Sequence, residues 1–195
     1  MNILHSPPDC LAKAVAKEVG SEGIIWGDSP DPSIYARRYW PKNLLGLPVI
    51  AFSTFWTLSA AGYIDGVKGW DREPMPMLFF LWGMIFILFG AGLLFSPFWG
   101  RVRAERMYYV LTPNRAIIFE RLLFLRIYVI HSHALRGFDR VSYGGDGGDI
   151  VFKRTISGSG RSRREHVIGF LGLKPYKSAE AAILRICASK DLTSR

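Results

Sequence analysis

The sequence predicts a membrane protein in two parts: a hairpin of two transmembrane helices, and a mainly β domain closed by a carboxyl-terminal helix. Three observations predict it. Two long uncharged runs lie in the middle of a 195-residue chain. All the excess positive charge falls after the second run. From Met107 the apolar periodicity changes to two, the period of strands, until Pro175 opens a last helical stripe. The expected organisation is an amino-terminal arm over 1–43, the helix hairpin over 44–99 and the β domain over 100–195.

Charge is the first guide to partners. Residues 1–43 hold five Lys/Arg and five Asp/Glu, whereas 101–195 hold eighteen and eight. Residues 44–64 and 74–100 hold none, and the formal net charge is +9. Basic surface attracts nucleic-acid phosphate. Basic residues crowded to one side of apolar runs instead set membrane topology and favour anionic headgroups. The bilayer therefore ranks ahead of nucleic acid as a partner. Cys10 and Cys187 are too few and too far apart for a disulfide framework or a metal spacing, which fits a reducing compartment. Lys13, Lys17 and Glu18 interrupt the first twenty residues, so no cleaved signal peptide is expected.

The arm comes first. Ser6-Pro7-Pro8-Asp9 reads as a helix start with Ser6 as cap, Leu11, Val15 and Val19 form a narrow stripe, and Gly20 ends it. Ile24, Ile25 and Trp26 make a short strand-like piece, with a turn over Gly27 to Ser33.

Leu44 to Ile64 is twenty-one residues long, and a helix of about 20 residues crosses a hydrocarbon core of about 30 Å. The second run, Met75 to Trp99, is apolar in every direction. Two buried core helices are the competing account, but so small a domain cannot surround them. Gly83, Gly90 and Gly92, with Ala91, are expected to pack against Ala51, Ser59, Ala60 or Gly62. Flanking the runs, Arg37, Arg38, Lys42, Arg101, Arg103 and Arg106 form a basic collar, with Arg115 beyond it. The connection carries only Lys68 and Arg72. The positive-inside rule then places both termini and the β domain in the cytoplasm. Neither run contains an ionisable residue, which argues for an anchor over a transporter.

In the β domain, Met107 to Glu120 reads as a hairpin around Thr-Pro-Asn-Arg. Strands are expected at Leu125 to His131, Gly137 to Tyr143, Asp149 to Thr155 and His166 to Phe170. A helix from Pro175 carries an apolar stripe of Ala179, Ala182, Ile183, Ile186 and Cys187. The hairpin YYVLTPNRAIIFE, with the arm EGIIWGDSPDP, resembles bacterial integral membrane proteins with a pleckstrin-homology (PH) domain, through a Tyr-x-Leu-Thr-x-x-Arg-hydrophobic signature. The resemblance covers about Glu22 to Ala188 and implies a PH-like barrel whose helix plugs one end. Five or six strands are legible after Met107, against seven in a full PH barrel.

Three features are candidates for chemistry. His131 and His133 would share a strand face and could begin a metal site, but no carboxylate or further Cys/His cluster is near in sequence. GGDGGD lacks the lysine of a phosphate loop and the spaced carboxylates of a calcium loop, and reads as a hairpin turn. The densest basic feature is Lys153, Arg154, Arg161, Arg163 and Arg164, a candidate contact for anionic lipid or a protein partner; a solvated loop is the plainer account. No Ser-His-Asp context, paired carboxylates or nucleotide motif appears, so no enzyme and no cofactor is expected. The sequence thus implies a non-enzymatic binding or scaffold module at the cytoplasmic face of the inner membrane. The alternatives are a homo-oligomeric assembly unit and, from another class, a membrane-bound enzyme with an unrecognised site.

Overall fold

The computed structural model describes residues 5–60, 75–157 and 164–193. They divide into two units. One comprises the described chain up to Tyr35 together with that from Arg101 onward; the other is Ala36–Gly100. Residues 5–35, read from the sequence as part of an arm over 1–43, fall in the same unit as the β strands.

The β-containing unit holds two antiparallel sheets. Strands β1 (Trp26–Asp28), β2 (Met107–Leu111), β3 (Arg115–Arg121) and β4 (Leu125–His131) form a four-stranded sheet in that order. A three-stranded sheet follows from β5 (Asp139–Ser142), β6 (Gly148–Ser157) and β7 (Arg164–Leu173). Among the described residues six strands follow Arg106; the seventh, β1, comes from the arm and pairs Trp26 with Leu111 and Asp28 with Tyr109. The expected strand at Ile24 to Trp26 is displaced toward Asp28, because the pairing with β2 sets its bounds.

The turn Thr112 to Arg115 closes through paired backbone and hydroxyl bonds. Thr112 N donates to Arg115 O at 2.9 Å, Arg115 N donates to Thr112 Oγ1 at 3.1 Å, and Thr112 Oγ1 donates to Arg115 O at 3.0 Å. This is a physical reason for threonine and arginine at that spacing.

Helix α1 (Asp9–Val19) lays its stripe on this sheet. Leu11, Val15 and Val19 are buried against Tyr108, Val110, Ile117 and Phe119. Each buried aliphatic side chain of this kind contributes roughly 1.5–3 kcal/mol. The helix is capped by Pro8 with no side-chain hydrogen bond, not by Ser6 as the sequence suggests. Between the sheets the core is aromatic. Phe170 stacks on Trp26 and Tyr109, with centroids 5.4 and 4.9 Å away, and meets Phe152 edge-on at 5.0 Å. A 3₁₀ segment, Ser132–Gly137, buries Leu135, and helix α6 (Tyr176–Thr193) buries Ala179, Ala182, Ile183 and Ile186.

After the short α2 (Pro32–Ala36), the Ala36–Gly100 unit pairs α3 (Trp40–Ala60) with α4 (Met75–Leu94). Gly83 and Gly90 let the helices approach: a Cβ on Gly83 would lie 2.0 Å from Thr57 Oγ1, and one on Gly90 would lie 2.6 Å from Ile50 Cγ1. The small residues of α4 therefore meet Ile50 and Thr57, while Ala51 is exposed and a Cβ on Gly92 would meet nothing. Ser53, Thr57 and Ser59 donate back to helix carbonyls at 2.6, 2.7 and 2.9 Å.

The expected transmembrane hairpin with a mainly β, PH-like barrel is overturned. Among the described residues no single helix is both long and apolar enough to cross a membrane. The second apolar run is broken, with Leu78–Leu94 bent by 44° from α5 (Ser96–Ala104). Pro97 accounts for the bend: it has no N–H for the carbonyl of Leu93 and its ring crowds that carbonyl, which kinks the run between Leu94 and Ser96. The apolar part of α3 is Asn43–Ser59, and the predicted end of the first span, 61–64, lies outside the described residues with the connection to 74. Among the described residues what forms is an α/β arrangement of two small antiparallel sheets with six α-helices.

Candidate functional site

The sequence-predicted basic cluster is only partly within view. Lys153 and Arg154 are exposed neighbours on β6, opposite Ile168 and Val167 in the ladder, and so point to opposite faces. The Arg154 side chain reaches Asp139 at 3.4 Å. Arg161 and Arg163 lie outside the described residues, and Arg164 is described only as the backbone that opens β7. Among the collar residues, Arg37, Arg38, Arg101 and Arg106 are exposed. Arg103 is committed to Glu120 at 2.7 Å, Arg106 donates to Leu122 O at 3.4 Å, and only the backbone of Lys42 is described.

A cleft of about 580 Å³ opens between β4 and the β6–β7 pair. Ile127, Phe152 and Ile168 supply its apolar wall, and His131, His133 and Lys153 its polar edge. The two imidazoles lie 6.0 Å apart, centroid to centroid, with rings 20° from parallel. His131 ends β4, whereas His133 sits on the 3₁₀ segment, so the pair is set by a change of backbone and not by one strand face. Among the described residues no group of three His, Cys, Asp or Glu side chains could hold a metal ion. Sequence reasoning found His131, His133 and Lys153 separately. It missed that they share a cleft, because that depends on how β4 lies against β6.

The glycine-rich turn is structural in its contacts. Tyr143 N donates to Gly147 O at 3.0 Å, and the buried Asp149 carboxylate accepts from Gly172 N at 2.6 Å and from Tyr143 Oη at 2.5 Å. Its carboxylate is thereby committed to backbone and phenol. Near β1, Asp28 accepts from its own neighbour Ser29 N at 2.8 Å and pairs with His5 Nδ1 at 2.8 Å. Tyr108 Oη donates to His5 O. Burial, reinforced by Asp28, pushes the Tyr108 phenol up to about 12, so it stays a donor there.

On the Ala36–Gly100 unit a second cleft, of about 490 Å³, is lined by Phe52, Trp56, Leu78, Phe79, Trp82 and Phe86. The outward surface of that unit is apolar too: Leu44, Phe52, Leu88 and Phe89 are each at least 60% exposed. Compared with family models, curated proteins and solved structures, the chain matches none.

Proposed function

We propose that this chain is a non-enzymatic binding or scaffold module held at the cytoplasmic face of the inner membrane by its apolar helix pair. The observation that carries the reading is the outward face of α3 and α4. Leu44, Leu45, Phe52, Leu88 and Phe89 stand exposed together with Trp40 and Trp82. A contiguous apolar surface of this kind marks a membrane or protein contact. Lipid suits it, because the apolar residues surround the pair and α4 has no preferred apolar side. The aromatic cleft between the helices has the character of a groove for an acyl chain.

The β-containing unit is then the binding part. It carries a four-stranded and a three-stranded antiparallel sheet followed by a helix. Its cleft offers an apolar wall with an imidazole and ammonium edge, chemistry for binding an acidic or amphipathic partner. The basic residues Lys153, Arg154, Arg161, Arg163 and Arg164 remain the proposed contact for anionic headgroups or a protein partner. A specific feature favours self-assembly as a second reading: β4 is a sheet edge with Tyr128 and Val129 exposed, open to pairing with another copy.

The test is flotation of the full-length chain with vesicles containing anionic lipid. It should rise with the vesicles and stay with them in high salt. A chain that remains in the soluble fraction ends the membrane reading. Light scattering on the solubilised chain decides the second reading, which a strict monomer would rule out.

A further inference from the structure

The β3–β4 turn is built from Leu122, Leu123 and Phe124, closed by the pairing of Arg121 with Leu125. A three-residue hairpin turn ordinarily draws on Gly, Asn, Asp, Ser or Pro, whose side chains or backbone freedom suit it. Here Leu123 is 86% and Phe124 77% exposed, with Leu122 and Leu125 also open to solvent. None of the four serves the core. Their exposure calls for an occupant.

The base of the same turn is basic. Arg121 N donates to Arg106 O at 3.0 Å, which brings the residue before β2 alongside the turn, and Arg106 reaches back to Leu122 O. Arg126 lies opposite Glu120 in the ladder, and Glu120 is buried in its pair with Arg103. Arg121 donates to Cys10 O at 2.6 Å across the base. Glu105 is the one other carboxylate between Arg101 and Arg126, against Arg101, Arg103, Arg106, Arg115, Arg121 and Arg126. An apolar tip over an arginine base is complementary to the anionic interface of a bilayer, where apolar side chains enter the acyl boundary and guanidinium groups meet phosphate.

We propose that Leu122, Leu123, Phe124 and Leu125 form a wedge that inserts into an anionic membrane surface, with Arg106, Arg121 and Arg126 seating on its headgroups. This rests on the membrane reading above and adds a second, separate point of contact made by the β-containing unit. A protein surface or a second copy could also cover an apolar tip. The arginine base favours lipid.

The experiment uses the full-length chain with Cys10→Ser and Cys187→Ser, labelled with an environment-sensitive fluorophore at Leu123→Cys. A matched sample carries the label at Lys177→Cys, exposed at the start of α6. Vesicles contain phosphatidylcholine alone or with phosphatidylglycerol, and some carry spin-labelled lipid. The wedge predicts that the label at 123 shifts to the blue and is quenched by spin-labelled lipid in the anionic vesicles, while the label at 177 is not. Arg106→Glu with Arg126→Glu should abolish that quenching. If the chain floats but the label at 123 stays as accessible to aqueous iodide as that at 177, the wedge is wrong and the membrane reading survives. If the chain does not float, both fall. Equal quenching in neutral vesicles overturns the anionic surface as the target. Shielding that grows with protein concentration in the absence of lipid overturns the wedge in favour of a second copy.

Discussion

Arg115 on β3 holds Glu18 on α1 at two points. Its guanidinium donates to the Glu18 carbonyl at 2.9 Å and to the Glu18 carboxylate at 3.1 Å. The Nε of the same side chain donates to Glu22 at 3.2 Å. The arginine of the Leu-Thr-x-x-Arg turn therefore does two things: its backbone closes the hairpin, and its side chain ties the end of the first helix to the sheet.

Replacing Arg115 by Ala should loosen α1. The ion pairs are partly exposed and contribute modestly, but the bond to the Glu18 carbonyl is charge-assisted. A loss of about 1–3 kcal/mol is expected in denaturant unfolding, with hydrogen-exchange protection falling first over 9–19. Arg115→Lys should recover only part of it, because an ammonium cannot reproduce the guanidinium fork. Unchanged protection in α1 would show that the apolar stripe alone seats the helix.

Acid should release the same contact. The neighbouring Thr112 side chain and the Arg115 guanidinium hold the Glu22 carboxyl below the usual glutamate value. A carboxyl with a lowered folded pKa contributes stability above its unfolded value, and that contribution is lost as pH falls through the lowered one. Asp31 behaves alike. Burial pushes its carboxyl up, but the Ser33 hydroxyl and the N–H groups of Ile34 and Ser33 more than offset this and hold it low. Stability should therefore decline on acidification below the ordinary carboxylate range, and Glu22→Gln should flatten part of that decline. A variant with the parent's acid profile would remove Glu22 from the account.

Tyr109 and Leu171 join the two sheets by a reciprocal pair. The buried hydroxyl donates to Leu171 O at 3.0 Å and accepts from Leu171 N at 3.2 Å. Tyr109→Phe leaves both backbone groups without that partner while keeping the ring stacked on Phe170. A loss of about 1–3 kcal/mol is expected from urea unfolding. A neutral outcome would mean that water enters between the sheets.

Gly169 sits where β6 and β7 slip register. A Cβ there would lie 2.1 Å from Ile150 O and 2.8 Å from Val151 Cα, both backbone atoms that cannot rotate aside. Gly169→Ala should cost about 1–3 kcal/mol or more by overpacking. Gly92→Ala, which would meet nothing, should be close to neutral by the same measurement.

Local signals in the sequence survived where local chemistry decides. The Met107–Leu111 and Arg115–Arg121 strands, β4 and the buried stripe of α6 follow from periodicity and from the Thr112–Arg115 turn. Strand β1 was only partly legible, being three residues long and specified by its pairing with a strand far along the chain. The second apolar run misled through composition: its lack of charge argued for one span, while Pro97 was the residue that governed the helix. Of the candidate sites, the residue types of the cleft could be read. Their meeting could not, since it depends on the placement of β4 against β6 and β7.

The central claim is that the apolar face of α3 and α4 is covered by lipid. Its most direct measurement is depth-dependent quenching of a fluorophore at Leu88→Cys, 68% exposed on α4, in the full-length chain with Cys10→Ser and Cys187→Ser in spin-labelled anionic vesicles. Strong quenching by spin labels on the acyl chain, with protection from aqueous iodide, is the result predicted. A label that iodide reaches freely in the presence of vesicles contradicts the claim.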